Sequence, residues 1–292
     1  MAVDGLRFWK GHGTENDFVL LPDHDGTALG DLPPAQIAEL VAMLCDRRAG
    51  IGGDGVLRVV RTDACDDPAA VAARAEAEWF MDYRNADGSL SEMCGNGIRV
   101  YGRYLAEQGL VDTVREVPVA TRGGTRLLTF AGDSVTVDMG PAEVLGETKV
   151  AVAARSWPAL HVSMGNPHAV AFVDSLDDAG PLEEAPAHDP DEYPEGVNVE
   201  FVVARGPRHV AMRVHERGSG ETRSCGTGAC AVMVAAALTD GVDPRHPAGT
   251  SYQVDVPGGR LEVTWTEEGR VLLTGPAVLV ARGEWLGPKS RR

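Results

Sequence analysis

Two short turns carry the chemistry this sequence offers: Cys94-Gly-Asn-Gly97 and Cys225-Gly-Thr-Gly228. A helix-forming stretch follows each, closing at Gly109 in one case and Gly241 in the other. The first N–H groups of a helix have no internal partner and together carry about half a positive charge. A carboxylate binds naturally at such a point. A thiol there falls below its free pKa of about 8.5, so its thiolate becomes accessible near neutrality. The glycines let the N–H groups face a ligand without a Cβ in the way. Two such turns suit the inversion of a carbon acid. One thiolate removes a proton from one face of Cα, and the other thiol delivers a proton to the opposite face. Preorganised N–H donors hold the charge that grows on the carboxylate, so no pyridoxal phosphate is required. Each thiol is base in one direction and acid in the other, and each needs a pKa near the working pH.

Blander readings compete. A lone cysteine before a helix is usually a small buried hydrophobe, and Cys45, Cys65 and Cys230 are read that way or as surface thiols. No Cys-x-x-Cys occurs and the eight histidines show no ligand spacing, so no metal site is read. A dedicated redox pair normally sits within one short motif, unlike Cys94 and Cys225. Two cysteines at matching places in an internal repeat weigh against chance.

That repeat sets the expected architecture. A shift of 131 residues lays Met81 on Met212, Asn85 on Glu216 and the first cysteine turn on the second. A shift of 135 lays Gly123–Ala142 on Gly258–Ala277, and Asn16-Asp17-Phe18 resembles Asn166-Pro167-His168 at a shift of 150. Short apolar runs read as strands: Phe18–Leu21, Gly55–Val60, Leu127–Phe130, Val135–Val137, Ala169–Val173, Val197–Val203, Leu261–Trp265 and Val271–Leu273. Pro33, Pro34 and the spacing of Ile37, Leu40, Val41 and Leu44 predict a further helix over Leu32–Cys45. The expected fold is α/β (α+β), with two halves, each of short strands around one helix and related by a pseudo-twofold. The halves cover residues 1–139 and 140–275, and the tail 276–292 returns to the first. The two cysteines would then approach a small ligand from opposite sides. Arg61–Glu78 has no counterpart in the second half and reads as an exposed insertion with a short helix at Ala69–Glu76. Asp177–Tyr193 reads as an acidic loop or short surface helix.

Composition bounds the partners. A formal charge of −16 argues against nucleic acid and against an anionic membrane surface. The 43% hydrophobic and 24% charged fractions allow a packed core. The longest apolar run, Ala229–Leu238, is half the roughly 20 residues a membrane span needs. No signal peptide is readable and five cysteines make no disulfide scaffold, so the expected location is the cytoplasm.

The chain resembles the diaminopimelate epimerase family along essentially its whole length. The resemblance rests on Lys10-Gly-His-Gly-Thr-Glu-Asn-Asp-Phe18, Arg47-Arg-Ala-Gly-Ile-Gly-Gly-Asp54, Asn85-Ala-Asp-Gly-Ser89, Met93-Cys-Gly-Asn-Gly97, Met164-Gly-Asn-Pro-His168, Val197-Asn198, Glu216-Arg217 and Gly220–Ala229. It implies a cofactor-independent isomerase that interconverts LL- and meso-2,6-diaminopimelate for lysine and peptidoglycan precursors, with Cys94 and Cys225 as the two acid/base residues. It also implies carboxylate binding by Gly95, Asn96, Gly226 and Thr227, and substrate contacts from Asn16, Asn85, Asn166, Asn198, Glu216 and Arg217. His168 and Glu216 would tune the thiols. The family fold is two similar halves, each a curved sheet around a central helix, and homodimers occur in it. Physical chemistry accommodates these roles: an Arg pairs with a carboxylate, and an Asn amide both donates and accepts. Each Asn also has a plainer use in a turn or cap, and His168 has one in packing beside Pro167.

Proline racemases and hydroxyproline epimerases pair two cysteines on a related fold but usually carry His where Asn96 stands. Phenazine-biosynthesis isomerases share the architecture and generally lack the pair. From other classes, a non-catalytic amino-acid binder would not exchange substrate hydrogen with solvent, and a thiol redox sensor would need a reversible disulfide.

Overall fold

The computed structural model describes residues 5–29 and 32–287. Two compact units divide the chain. The first holds the described residues up to Gly13, then Asp17–Val137, then the described residues from Pro276 on. The second holds Thr14–Asn16 and Asp138–Gly275. Residues 288–292 of the expected returning tail lie outside the described residues.

The first unit runs β1 (Leu6–Gly13), β2 (Asn16–Pro22), α1 (Pro34–Cys45), β3 (Gly55–Arg61), α2 (Pro68–Ala72), β4 (Trp79–Asn85), α3 (Gly95–Glu107), β5 (Val117–Ala120), β6 (Arg126–Ala131) and β7 (Ser134–Pro141). β2 pairs parallel with β3, β3 antiparallel with β4, β4 parallel with β5, and β5, β6 and β7 form an antiparallel run. α3 lies against β1, β3 and β4, and its Ile98, Val100, Tyr101, Tyr104 and Leu105 are fully buried. Burying each such side chain is worth roughly 1.5–3 kcal/mol, which fixes the helix and the turn that starts it.

The second unit runs β8 (Glu143–Val152), β9 (Arg155–Ser163), β10 (Pro167–Phe172), β11 (Asn198–Gly206), β12 (His209–Glu216), β13 (Gly220–Thr222), α4 (Gly226–Thr239), β14 (Thr250–Val256), β15 (Gly259–Trp265) and β16 (Arg270–Pro276). The pairing order of the first unit recurs. β10 is parallel to β11, β11 antiparallel to β12, β12 parallel to β14, and β14, β15 and β16 form an antiparallel run. α4 lies against β9, β10, β11, β12, β14 and β15. Its residues from Gly228 to Ala237 are all buried, as its all-round apolar sequence requires. The last strand, β17 (Val278–Trp285), pairs antiparallel with β1 in the first unit.

Six of the eight strand runs read from apolar blocks fall wholly in strands; the other two each overrun by one residue, at Val173 past β10 and at Val197 before β11, and the helix predicted over Leu32–Cys45 begins two residues later, at Pro34. The Arg61–Glu78 insertion departs from expectation. Its Cys65, Ala70, Ala73 and Ala77 are buried against Val60, Phe80 and Ala120, and its helix is the shorter α2. Alanines spaced on one side give the segment an apolar face that composition alone hides. The acidic 177–193 segment likewise buries Ala179, Leu182 and Tyr193 in a core with Phe201.

Candidate active site

Both cysteines are helix N-caps. Cys94 is extended (φ −135°, ψ 122°), and its Sγ accepts the Gly97 N–H at 3.4 Å. Cys225 is extended (φ −115°, ψ 116°), and its Sγ accepts the Gly228 N–H at 3.3 Å. The sulfur takes the place that a Ser or Asp oxygen takes in an ordinary cap. A sulfur bonded this way is fixed beside the amides of the first helical turn. Those amides belong to Gly95 and Asn96 in the first unit, and to Gly226 and Thr227 in the second.

Around Cys94, the fully buried Arg99 bonds the Gly95 carbonyl at 3.1 Å and the Asn96 amide oxygen at 2.9 Å. Part of the Asn96 side chain is thus used to hold the turn. At the end of β4, the Asn85 amide donates to Ser89 Oγ at 3.0 Å and closes the Asn85–Ser89 turn. Behind this turn, Asp17 bonds Lys10 and Arg47, and Arg47 also reaches Asp54 at 2.6 Å. Burial alone would raise the Asp17 carboxyl, but Arg47 and Lys10 outweigh it and hold it down at about 2. Two of the sequence motifs behind the family resemblance, around Lys10 and Arg47, therefore brace one another.

The second unit gathers more of the site residues. His168 and Glu200 are fully buried, with Nδ1 and Oε1 2.7 Å apart. The other ring nitrogen of His168 lies 3.1 Å from the Asn166 amide oxygen. The Asn166 amide donates to Thr227 Oγ1 at 3.4 Å, and that hydroxyl stands 3.5 Å from Cys225 Sγ. Thr222 donates to Glu216. Burial pushes the Glu216 carboxyl upward. The Asn198 amide donates to the Pro167 carbonyl at 3.1 Å and accepts the Arg217 N–H at 2.9 Å, clamping β10 to the turn after β12. Arg217 itself is exposed, with its guanidinium 3.8 Å from Glu195.

Asn16 heads β2 and groups with the second unit. The hairpin turn before it places Thr14 (φ 49°) and Glu15 (φ 63°) in the left-handed region, the geometry of a tight hairpin turn. Thr14 Oγ1 lies 2.5 Å from Ser224 Oγ, next to Cys225, and Arg223 bonds Glu15. Gly258 has to be glycine because the Thr14 carbonyl occupies the space of its Cβ.

The expected drop in thiol pKa does not hold at Cys225. Only 4% of that residue is exposed, and burial, then Glu216, then Glu200 push its thiol well above the usual range. The bonds from Thr227 and Gly228 oppose the rise without cancelling it. Cys94 is half-buried. Cys45, Cys65 and Cys230 are buried, and burial pushes the Cys45 thiol up to about 12, as fits packing residues.

Sequence reading missed Glu200, Thr14 and Ser224. Glu200 carried a signal, since it is the one charged residue in Val197–Val203, an otherwise largely apolar strand. Thr14 and Ser224 carried none, because their contact spans 210 positions.

Residues 8–145 and 160–280 match the family model described as diaminopimelate epimerase. The chain is 60% identical over 286 residues to a diaminopimelate epimerase of Streptomyces coelicolor, covering 96% of this chain and 95% of that protein. It is 49% identical over 289 residues to one from Thermobifida fusca, covering 96% and 97%. Among solved structures, a phenazine biosynthesis protein of the PhzF family from Bacillus anthracis aligns with a TM-score of 0.68 at 16% identity, covering 96% of this chain and 99% of that one. A hydroxyproline epimerase from Agrobacterium vitis aligns at 0.64 and 16%, covering 96% and 90%. At that identity the two structures speak for the fold alone, two similar mixed α/β halves, whereas near-complete coverage at 49–60% identity speaks for descent. This chain belongs to the diaminopimelate epimerase family.

Proposed function

We propose that this chain interconverts LL- and meso-2,6-diaminopimelate without a cofactor, with Cys94 and Cys225 as the two acid/base residues acting on one Cα. The observation that carries this reading is the matched cap geometry: each sulfur accepts its own helix's third amide, beside N–H groups able to take a carboxylate. Deprotonation of Cα spreads charge onto the carboxylate, where the N–H groups of Gly95, Asn96, Gly226 and Thr227 stabilise it. Burial and the neighbouring Glu216 support Cys225 as the resting acid. Cys94 then removes the first proton and the two exchange roles on reversal. Asn16, Asn85, Asn166, Asn198, Glu216 and Arg217 are the proposed substrate contacts, with Arg217, whose guanidinium is exposed, suited to the distal carboxylate. His168 and Glu216 set the charge near Cys225.

The same reading places the enzyme in the cytoplasm, in the supply of lysine and peptidoglycan precursors. Its partners are the small-molecule substrate and a second copy of the chain, as a homodimer, with no nucleic acid or membrane. Among the described residues no helix is long and apolar enough to cross a membrane.

The test is to incubate purified, reduced protein, with no cofactor added, with LL- or meso-diaminopimelate, L-proline and L-glutamate in turn. Interconversion of diaminopimelate alone is expected. Racemisation of proline in preference, or no turnover by folded protein, would overturn the reading.

A further inference from the structure

The hydrogen bonds beside Cys225 begin at a residue that is neither an acid/base group nor a substrate contact. Glu200 sits on β11 and His168 on β10, and their side chains meet at 2.7 Å with neither exposed to solvent. The contacts constrain the ring's protons. Nε2 faces an amide oxygen, which only accepts, so Nε2 must carry hydrogen. Nδ1 faces a carboxyl oxygen, so one proton lies between them, on either the ring or the acid. A ring held this way fixes the Asn166 amide: its oxygen accepts from His168, and its NH2 turns to Thr227, beside Cys225. Space is reserved for the pair as well. A Cβ at Gly228 would lie 2.7 Å from Glu200 Oε1 and 3.2 Å from Cys225 Sγ. Glu200 Oε2 is buried and has no hydrogen-bond partner among the described residues, so the acid's tie is to His168.

We propose that Glu200 is a positioning residue for the reaction at Cys225: by bonding His168 Nδ1 it fixes Nε2–H and, through the Asn166 amide, the orientation of Thr227 against the thiol. The proposal rests on the epimerase reading for its kinetic readout only, because its spectroscopic readout needs no substrate. Two variants separate hydrogen bonding from filling space. In Glu200→Gln the new amide can donate to Nδ1, so the Nε2–H ring survives. In Glu200→Leu the volume is similar and the bond is gone.

Nitrogen-15 NMR of the histidine-labelled protein, assigned with a His168→Gln control, should show His168 with hydrogen on Nε2 in the unsubstituted chain and in Glu200→Gln. Glu200→Leu should show mixed tautomers. Turnover of diaminopimelate should fall about 10²-fold in kcat for Glu200→Leu, the scale of a small misplacement of reacting groups. It should stay within a few-fold for Glu200→Gln, with KM little changed in both. A bare Nε2 in the unsubstituted protein overturns the proposal, even if Glu200→Leu does not fold. So does a folded Glu200→Leu with full kcat, or a Glu200→Gln that loses as much as Glu200→Leu while its ring keeps Nε2–H. If the unsubstituted protein has no epimerase activity, the functional reading fails by itself and the ring measurement still decides this one.

Discussion

The turns at Cys94 and Cys225 share a motif, a cap geometry and a sulfur-to-amide bond, yet they surround their thiols differently. At Cys94 the sulfur is half-buried and the charge holding the turn is a guanidinium, Arg99, that grips Gly95 and Asn96. At Cys225 the sulfur is nearly sealed, the helix behind it is apolar, and the charges facing it are the carboxyl groups of Glu216 and Glu200. A duplicated backbone gives two places for a thiol without giving two equal thiols. Helix-end amides favour the thiolate, whereas desolvation and like charge favour the thiol. At Cys225 the second pair of effects wins. For a reaction that needs an acid and a base at once, that inequality is useful.

The largest break in the comparison comes from removing either sulfur. Cys94→Ser and Cys225→Ser should each cost about 10²–10⁴-fold in turnover, the usual scale of a general acid or base, with circular dichroism unchanged. Near-normal turnover in either variant would show that the two turns are not both catalytic. Next is selectivity. Limiting iodoacetamide at neutral pH should label Cys94 well before Cys225, read by peptide mass spectrometry, since one sulfur is reachable and the other sealed. Equal labelling would erase the difference in environment.

A finer probe is Glu216→Gln. Among the charges acting on Cys225, Glu216 raises its pKa most. Removing that charge should move the pH dependence of Cys225 alkylation to lower pH, followed in a Cys94→Ser background. An unchanged or upward midpoint would contradict the assigned cause.

The smallest effect lies behind the first turn. With Arg47 and Lys10 holding the folded Asp17 pKa at about 2 against 3.8 unperturbed, ionised Asp17 stabilises the fold by about 2 kcal/mol. That stability is present above pH 4 and lost as pH falls toward 2. Asp17→Asn should therefore lower stability to urea at pH 7 by that amount and much less at pH 2.5. An equal loss at both pH values would mean that packing, not charge, is what Asp17 supplies.

Much of this architecture is legible in the sequence alone. Apolar blocks such as Val197–Val203 mark interior strands because both faces are buried, and the cysteine repeat located the two caps. The apolar runs leave several strands unmarked, and among these β8 and β17 are illegible because most of their side chains are exposed and show no alternation. The candidate site was legible as residue types but not as partners. The family resemblance implies a substrate contact for Asn198, and its amide also clamps backbone on both sides. Glu200 is not legible as a site residue, because a charge inside an apolar strand looks like an interruption until it meets the histidine on the neighbouring strand.

The two-base claim can be tested most directly by following deuterium in the first turnovers. A thiol holds a single proton, so the base that removes hydrogen from substrate differs from the acid that supplies it from solvent. In D2O, with LL- or meso-diaminopimelate and no cofactor, the epimerised product should carry solvent deuterium at Cα while recovered substrate carries almost none. Deuterium appearing in substrate as fast as in product would mean that one group serves both faces, and the paired-cysteine account would fall.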